Sequence, residues 1–287
     1  TVHKIKNIEY YISIAAEDYY TKGGEPPGLW LGSARHHLGL RGNVDDEIYR
    51  NLMAGKLPDG TELCQLQGDH VPAWDLTFSS PKSASILWAR ADQQLKKQVQ
   101  QAHLDAVQRA LNFIEQHASF TRRGKGGAES EAVAGLLAAG FEHGTSRELD
   151  PQLHTHCVVF NIAPREDGTW GTLDSKHFYK WKMASGAMYR AQLAKNLQEF
   201  GFGVEQDEAA FHVTGIDKTI CDHYSKRAAS IEKELAKIGV DSSASAAGKK
   251  VKLSTRSAKT EIDRPALFEQ WHAELDELGF TTEKLHN

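Results

Sequence analysis

The chain has 287 residues, of which 40% are apolar and 25% are charged, and its formal net charge is −4. These values are typical of a globular protein with a sizeable core, and because there is no apolar run of about 18 residues, no membrane-spanning helix is expected. The acidic balance argues against a protein that simply coats nucleic acid. The N-terminus lacks the apolar core of a signal peptide, and three widely separated cysteines fit a reducing cytosol better than a disulfide framework.

Strands and helices are mixed along the chain. In order, the hydrophobic pattern predicts a strand at 2–8, a helix at 8–21, a breaker-rich loop at 22–33, a helix at 44–55 and a strand at 71–80. Next come helices at 81–118, a hairpin of strands at 119–124 and 131–145, a strand at 150–160, a helix at 183–201, a hairpin at 201–215 and a mostly helical C-terminal region. Because hairpin-like turns join most strands, we expect an α+β fold with a mainly antiparallel sheet whose helices cover one face.

Two histidines lie two residues apart in the predicted strand at 150–160. Residues at this spacing point to the same face of a strand, so His154 and His156 project together. His143 ends the preceding predicted strand, and if the two strands pair as a hairpin, the three imidazoles converge. Three neutral imidazoles with one open side are the arrangement of a catalytic metal site. The spacing alone leaves open the alternative that these are ordinary core or surface histidines.

Two tyrosine pairs, Tyr10–Tyr11 and Tyr19–Tyr20, lie in the predicted helix at 8–21. A tyrosine assisted by a metal or a carboxylate can attack phosphorus, although tyrosine pairs alone more often belong to an aromatic core or a helix surface. Asp75 lies in an otherwise apolar predicted strand, where a carboxylate is costly unless it has a partner. We therefore expect Asp75 to orient a ligand histidine or to accept a proton from a tyrosine, unless it faces water at a sheet edge.

Positive charge is concentrated in the segments 122–127 and 248–259, which could bind phosphates or could simply be solvated loops. Lys82 lies at the start of a predicted helix, a position that suits a phosphate contact.

Several segments, taken in chain order, resemble the MobF class of conjugative relaxases, the TrwC/TraI type within the HUH endonucleases. They are the two tyrosine pairs, GLWLG…LGLRGNV, DLTFSSPKS, FEHGTSRELDPQLHTHCVVFN and YSKRAASI. The tyrosines precede the histidine motif, whereas in rolling-circle replication initiators of the same superfamily the nucleophilic tyrosine follows it.

The resemblance implies a five-stranded, mainly antiparallel palm at about 1–215, covered by helices, and helical C-terminal fingers at about 216–287. It implies a single relaxase domain that forms the N-terminal part of a larger relaxase–helicase. The partners implied are single-stranded and hairpin DNA at an origin of transfer, relaxosome accessory proteins and a type IV secretion coupling protein. The candidate DNA-binding residues are Lys82, Arg122, Arg123, Lys125, Arg147, Lys226, Arg227, Lys249 and Lys250. The implied location is the bacterial cytoplasm, with translocation to the recipient cell.

The resemblance also implies a role for each site residue. Tyr10, with Tyr11 as a competitor, would attack the scissile phosphate at the plasmid nic site and retain the 5′ phosphate. Tyr19 or Tyr20 would serve a second transfer that ends conjugation. Three histidines would hold one divalent ion, Mg, Mn or Zn, while Asp75 would contact a ligand histidine and help deprotonate Tyr10; the histidines are His143, His154 and His156.

Other functions fit the same three histidines. One alternative is a metal-dependent DNA hydrolase that uses an activated water, and another is a rolling-circle-type replication initiator. A further alternative is a non-catalytic DNA-binding module whose histidines hold a structural metal. The hydrolase and the binding module form no covalent protein–DNA adduct, and this separates them from a relaxase.

Overall fold

The computed structural model describes residues 1–5, 11, 26–63, 71–239, 248, 251 and 263–281. Its strands are β1 (Val2–Lys4), β2 (Leu29–Leu31), β3 (Ala73–Ser79), β4 (Phe120–Arg123), β5 (Glu129–Ala132), β6 (Ala138–Thr145), β7 (Pro151–Phe160), β8 (Ala163–Pro164), β9 (Trp170–Gly171), β10 (Val204–Asp207) and β11 (Ala210–Val213). Its α-helices are α1 (Asp46–Met53), α2 (Lys82–Arg90), α3 (Gln93–Ala118), α4 (Lys176–Glu199), α5 (Lys218–His223), α6 (Lys226–Lys237) and α7 (Arg264–Glu277). Across these ranges, no helix is long and apolar enough to cross a membrane.

Five strands form the main sheet, in the order β1-β3-β7-β6-β2. The pairs β1–β3, β3–β7 and β2–β6 are antiparallel, and β7 lies at the centre of the sheet. This arrangement confirms the predicted α+β fold with a five-stranded antiparallel sheet. Two-stranded ribbons β4–β5 and β10–β11 confirm the hairpins predicted at these positions.

The strand β2 corrects the sequence prediction, which assigned 22–33 to a loop. Leu29 and Leu31 pair with Gly140 and Ala138 of β6, so this short segment forms an edge of the sheet. A three-residue strand is too short to show a periodicity in the sequence. The predicted strand at 131–145 is likewise wrong as one element, because it divides into β5 and β6.

Alternation along the strands gives the sheet two different faces. On one face, Trp74 packs on Phe178 of α4 and Phe78 packs on Tyr189 of the same helix, each with ring centroids 5.6 Å apart. On the other face, Tyr49 of α1 contacts Phe141 and Phe160, at centroid distances of 5.5 and 5.4 Å. Asp75 belongs to this second face, because it lies between Trp74 and Leu76 in β3.

The chain divides into two compact units. The first contains Thr1–Ser79, Gln100–His143 and His154–Asn196, and the second contains Ser80–Val99, Gly144–Leu153 and Leu197–Asn287. The predicted boundary between palm and fingers near residue 215 stays a prediction.

Two glycines with positive φ offer a stability test. Gly32 has φ 78° and ψ 155°, a region that is essentially restricted to glycine, and a Cβ there would lie 2.1 Å from the carbonyl oxygen of Leu136. Gly39 has φ 68° and ψ 15°, and a Cβ there would meet nothing within 4 Å. We expect Gly32→Ala to lower the free energy of unfolding by about 2 kcal/mol more than Gly39→Ala, since only Gly32→Ala adds a backbone clash to the strain. Urea denaturation measures both values, and equal losses would contradict the expectation.

Candidate metal centre

Three histidines converge on the face of the sheet that carries Asp75. His154 and His156 project from the same face of β7, and His143 comes from the neighbouring strand β6. Their ring centroids are 5.1 to 5.3 Å apart, and one ligand nitrogen from each ring lies within 4.8 Å of the other two. The alternation and the hairpin assumed from the sequence are therefore both present.

The turn between β6 and β7 comprises residues 146–150. The Ser146 amide donates to the carbonyl oxygen of Asp150, and the Ser146 hydroxyl oxygen accepts from the amides of Glu148 and Asp150. Leu149 has φ 61°, so the turn includes a left-handed residue that is not glycine. Pro151 begins β7, and its missing N–H suits the first position of a strand.

Asp75 links one ligand histidine to a tyrosine. Its side chain is buried, and its Oδ2 accepts hydrogen bonds from His156 Nδ1 and from the Tyr11 hydroxyl, both at 2.7 Å. Burial by itself would raise the pKa of Asp75, but the neighbouring His156 and the hydrogen bonds that Asp75 accepts hold the pKa below its ordinary value. Because the carboxylate accepts the Nδ1 proton of His156, Nε2 of this ring is left as the metal ligand.

The donor set fits one divalent ion. Three imidazoles from one hairpin supply three ligands and leave positions open, as catalytic metal sites do. The carboxylate behind His156 fixes the tautomer that a metal requires. The identity of the ion stays open, because imidazole binds several divalent metals.

Two further residues around Asp75 were not predicted. Thr77 Oγ1 donates to Asp75 Oδ1 at 3.2 Å, and the two-residue spacing within β3 was a signal for this contact. His3 of β1 lies opposite Asp75 in the antiparallel register, so both side chains lie on the same face. Burial lowers the pKa of His3, against the opposing effect of Asp75. No sequence signal could identify His3, since strand pairing between distant segments is not local.

Not every predicted site residue can be located. Tyr10, Tyr19, Tyr20, Lys249 and Lys250 lie outside the described residues. Of the four predicted tyrosines, the structure describes Tyr11.

The predicted DNA-binding residues have different surroundings. Lys82 Nζ donates to the carbonyl oxygen of Pro151 at 2.8 Å, and burial lowers the pKa of Lys82 to about 8. Arg123 forms ion pairs with Glu131 and Asp167.

The other predicted DNA-binding residues that the structure describes differ mainly in how exposed their side chains are. Lys226 forms an ion pair with Asp150 at 3.2 Å while half of its side chain stays exposed. Arg122 and Lys125 are exposed, and Arg147 and Arg227 are partly buried. A DNA role for all of these residues stays a prediction.

The fold and the three-histidine site together define the class of protein. A three-histidine centre on an antiparallel sheet, with a buried aspartate beside a ligand, is the arrangement that the sequence resemblance implied for HUH endonucleases. The chain belongs to the TrwC relaxase family, because the family model described as TrwC relaxase matches residues 5–278.

Individual relatives agree with this assignment. The chain is 32% identical over 280 residues to the multifunctional conjugation protein TraI of Escherichia coli (strain K12), a match that covers 92% of this chain and 15% of TraI. The chain thus spans 15% of the length of the curated relatives it matches. The conjugative relaxase TrwC in complex with OriT DNA, in its metal-free structure, has a TM-score of 0.86 and 31% identity, and covers 98% of this chain and 99% of TrwC's. The metal-bound structure of the same complex has a TM-score of 0.86 and 33% identity, with the same coverage.

Proposed function

We propose that this chain nicks one DNA strand at a plasmid origin of transfer and transfers the strand through a covalent 5′-phosphotyrosine intermediate, which starts and ends conjugative transfer. The observation that carries this proposal is that one oxygen, Asp75 Oδ2, accepts hydrogen bonds from His156 and from Tyr11, a tyrosine of the first pair. A tyrosine hydroxyl beside a metal centre suits nucleophilic attack on phosphorus. The solved TrwC structures, which contain OriT DNA and in one case a metal, support the same function.

The residues of the site divide the work. His143, His154 and His156 would hold the ion, which when bound would stabilise negative charge on the scissile phosphate. Asp75 keeps His156 in the tautomer that leaves Nε2 for the metal. The same carboxylate oxygen accepts a hydrogen bond from the Tyr11 hydroxyl at 2.7 Å, so Asp75 can take a proton from a phenol of the first pair.

The number of phosphate ester bonds stays the same in the transfer step. The tyrosine oxygen forms a bond to phosphorus while the bond from phosphorus to the 3′ oxygen breaks, and the leaving 3′ oxygen gains a proton. One phosphate ester replaces another, so a 3′ hydroxyl can reverse the step without ATP. We assign the first attack to Tyr10, with Tyr11 as competitor, and the second transfer to Tyr19 or Tyr20.

The partners follow from the same function. Single-stranded DNA next to a hairpin would be the substrate, with phosphate contacts from the basic residues Lys82, Arg122, Arg123, Lys125, Arg147, Lys226, Arg227, Lys249 and Lys250. Relaxosome accessory proteins and a type IV secretion coupling protein would bind the relaxase in the bacterial cytoplasm. The relaxase would then pass to the recipient cell with the strand it carries.

A denaturing gel tests the proposal. The chain is mixed with Mn²⁺ and a single-stranded oligonucleotide that contains the inverted repeat and nic-like sequence next to its gene. We expect a protein band shifted by covalent DNA, which EDTA abolishes and a scrambled nic sequence fails to give. Cleavage without a shifted band would instead indicate a hydrolase, and metal binding without cleavage would indicate a structural metal.

A further inference from the structure

A buried hydrogen-bond chain lies behind the metal-binding strand. His103 of α3 is fully buried, and both of its ring nitrogens have partners. Nδ1 is 2.7 Å from the hydroxyl of Tyr189 on α4, and Nε2 is 2.8 Å from the hydroxyl of Thr155 on β7. Thr155 lies between the ligands His154 and His156 and points to the opposite face. His103 thus contacts the one residue that both ligands flank.

The same helix also holds the second ligand strand. Gln100 lies three residues before His103, which places both on the same side of α3. Gln100 Nε2 donates to Glu142 Oε1 at 2.6 Å, and Glu142 directly precedes His143 on β6. One face of α3 therefore contacts a neighbour of every ligand histidine.

His103 is held as a neutral ring. Burial lowers its pKa to about 3, with a smaller contribution from His154. A neutral imidazole offers one donor and one acceptor, and the hydroxyls of Tyr189 and Thr155 use both. Because Thr155 and Tyr189 are also buried, loss of His103 would leave two hydroxyls without this partner in a dry layer.

We propose that the α3 clamp, formed by Gln100, His103, Glu142, Thr155 and Tyr189, positions the metal-binding histidines from behind the sheet. His103 fixes the position and rotation of Thr155, and these set the directions of His154 and His156. Gln100 fixes β6, and with it the distance from His143 to the other two rings. The clamp residues touch no substrate, so they are positioning residues. This inference rests on the proposed function only through the ion that the three histidines would hold.

Metal affinity without DNA tests the clamp. Isothermal titration with Mn²⁺ gives the Kd for the wild type and for Thr155→Val, which keeps the shape of the side chain and removes the hydroxyl. We expect the Kd to rise about tenfold, as is usual when a group that supports metal ligands is lost. His103→Leu should raise the Kd at least as much, whereas His103→Gln, which keeps a donor and an acceptor, should recover most of the affinity.

A matched control separates positioning from general stability. Ser185 of α4 is also buried, and its hydroxyl donates to the carbonyl oxygen of Ala110 of α3 at 3.2 Å, away from β7. We expect Ser185→Ala to lower the Tm as Thr155→Val does but to keep the wild-type Kd. Wild-type affinity in both Thr155→Val and His103→Leu, or an equal loss in Ser185→Ala, would overturn the proposal. Since no DNA is present, a failure to nick would refute only the proposed function.

Discussion

Tyr10→Phe is expected to abolish the covalent protein–DNA adduct, with a loss of more than about a thousandfold in the rate of its formation. Phenylalanine keeps the ring but has no oxygen that could attack phosphorus. Tyr11→Phe should still form the adduct, about tenfold more slowly, because Asp75 would lose one of its hydrogen-bond donors while the nucleophile remains. The rates come from a time course of the shifted band on a denaturing gel.

Tyr179→Phe is the control for this pair of variants. Tyr179 lies on α4 with 38% of its surface exposed, and it has no part in the proposed site. Its adduct rate should equal that of the wild type. If Tyr11→Phe abolished the adduct while Tyr10→Phe kept it, Tyr11 would be the nucleophile, and its observed hydrogen bond to Asp75 would be the contact that activates it.

His154→Ala should remove both metal binding and nicking. Two imidazoles would remain of a three-ligand site, so we expect the Kd for Mn²⁺ to rise by more than about a hundredfold, beyond the effect of losing a supporting group. The adduct rate should fall by a similar factor, because the charge on the scissile phosphate would lose its stabilisation. Titration calorimetry measures the Kd, and the gel assay measures the adduct rate. EDTA treatment of the wild type should reproduce the fall in the adduct rate.

His37→Ala serves as the matched control, since His37 is exposed and is not part of the proposed site. It should change neither the Kd nor the adduct rate. An adduct rate that survives in His154→Ala, with metal binding lost, would show that the three histidines are structural and that the proposed mechanism is wrong.

The metal centre could be predicted from the sequence because its three ligands lie close together along the chain. Alternation placed His154 and His156 on one face, and one turn brought His143 beside them. The role of Asp75 could be predicted for a different reason, since a carboxylate in an apolar strand needs a partner. Two of its partners, however, Tyr11 and His156, are 64 and 81 residues away, and no spacing rule reaches that far.

The α3 clamp shows what a sequence pattern cannot provide. His103 is one histidine within a 26-residue helix, and although its spacing from Val99 and Ala106 places it on the apolar face, this pattern does not show which groups its ring contacts. Its role depends on Thr155 and Tyr189, which are 52 and 86 residues away and lie on two other elements. The strand β2 was missed for a related reason, because only its pairing with β6 defines it.

The β6–β7 hairpin has a consequence for the order of assembly during folding. All three metal ligands lie within positions 143–156, whereas His156 meets Asp75 across 81 residues. Closing the longer loop costs about 1.6 kcal/mol more in chain entropy than closing the shorter one. The β6–β7 hairpin therefore forms at the lower cost in chain entropy. Asp75 and Tyr11 can then join three histidines that are already close together.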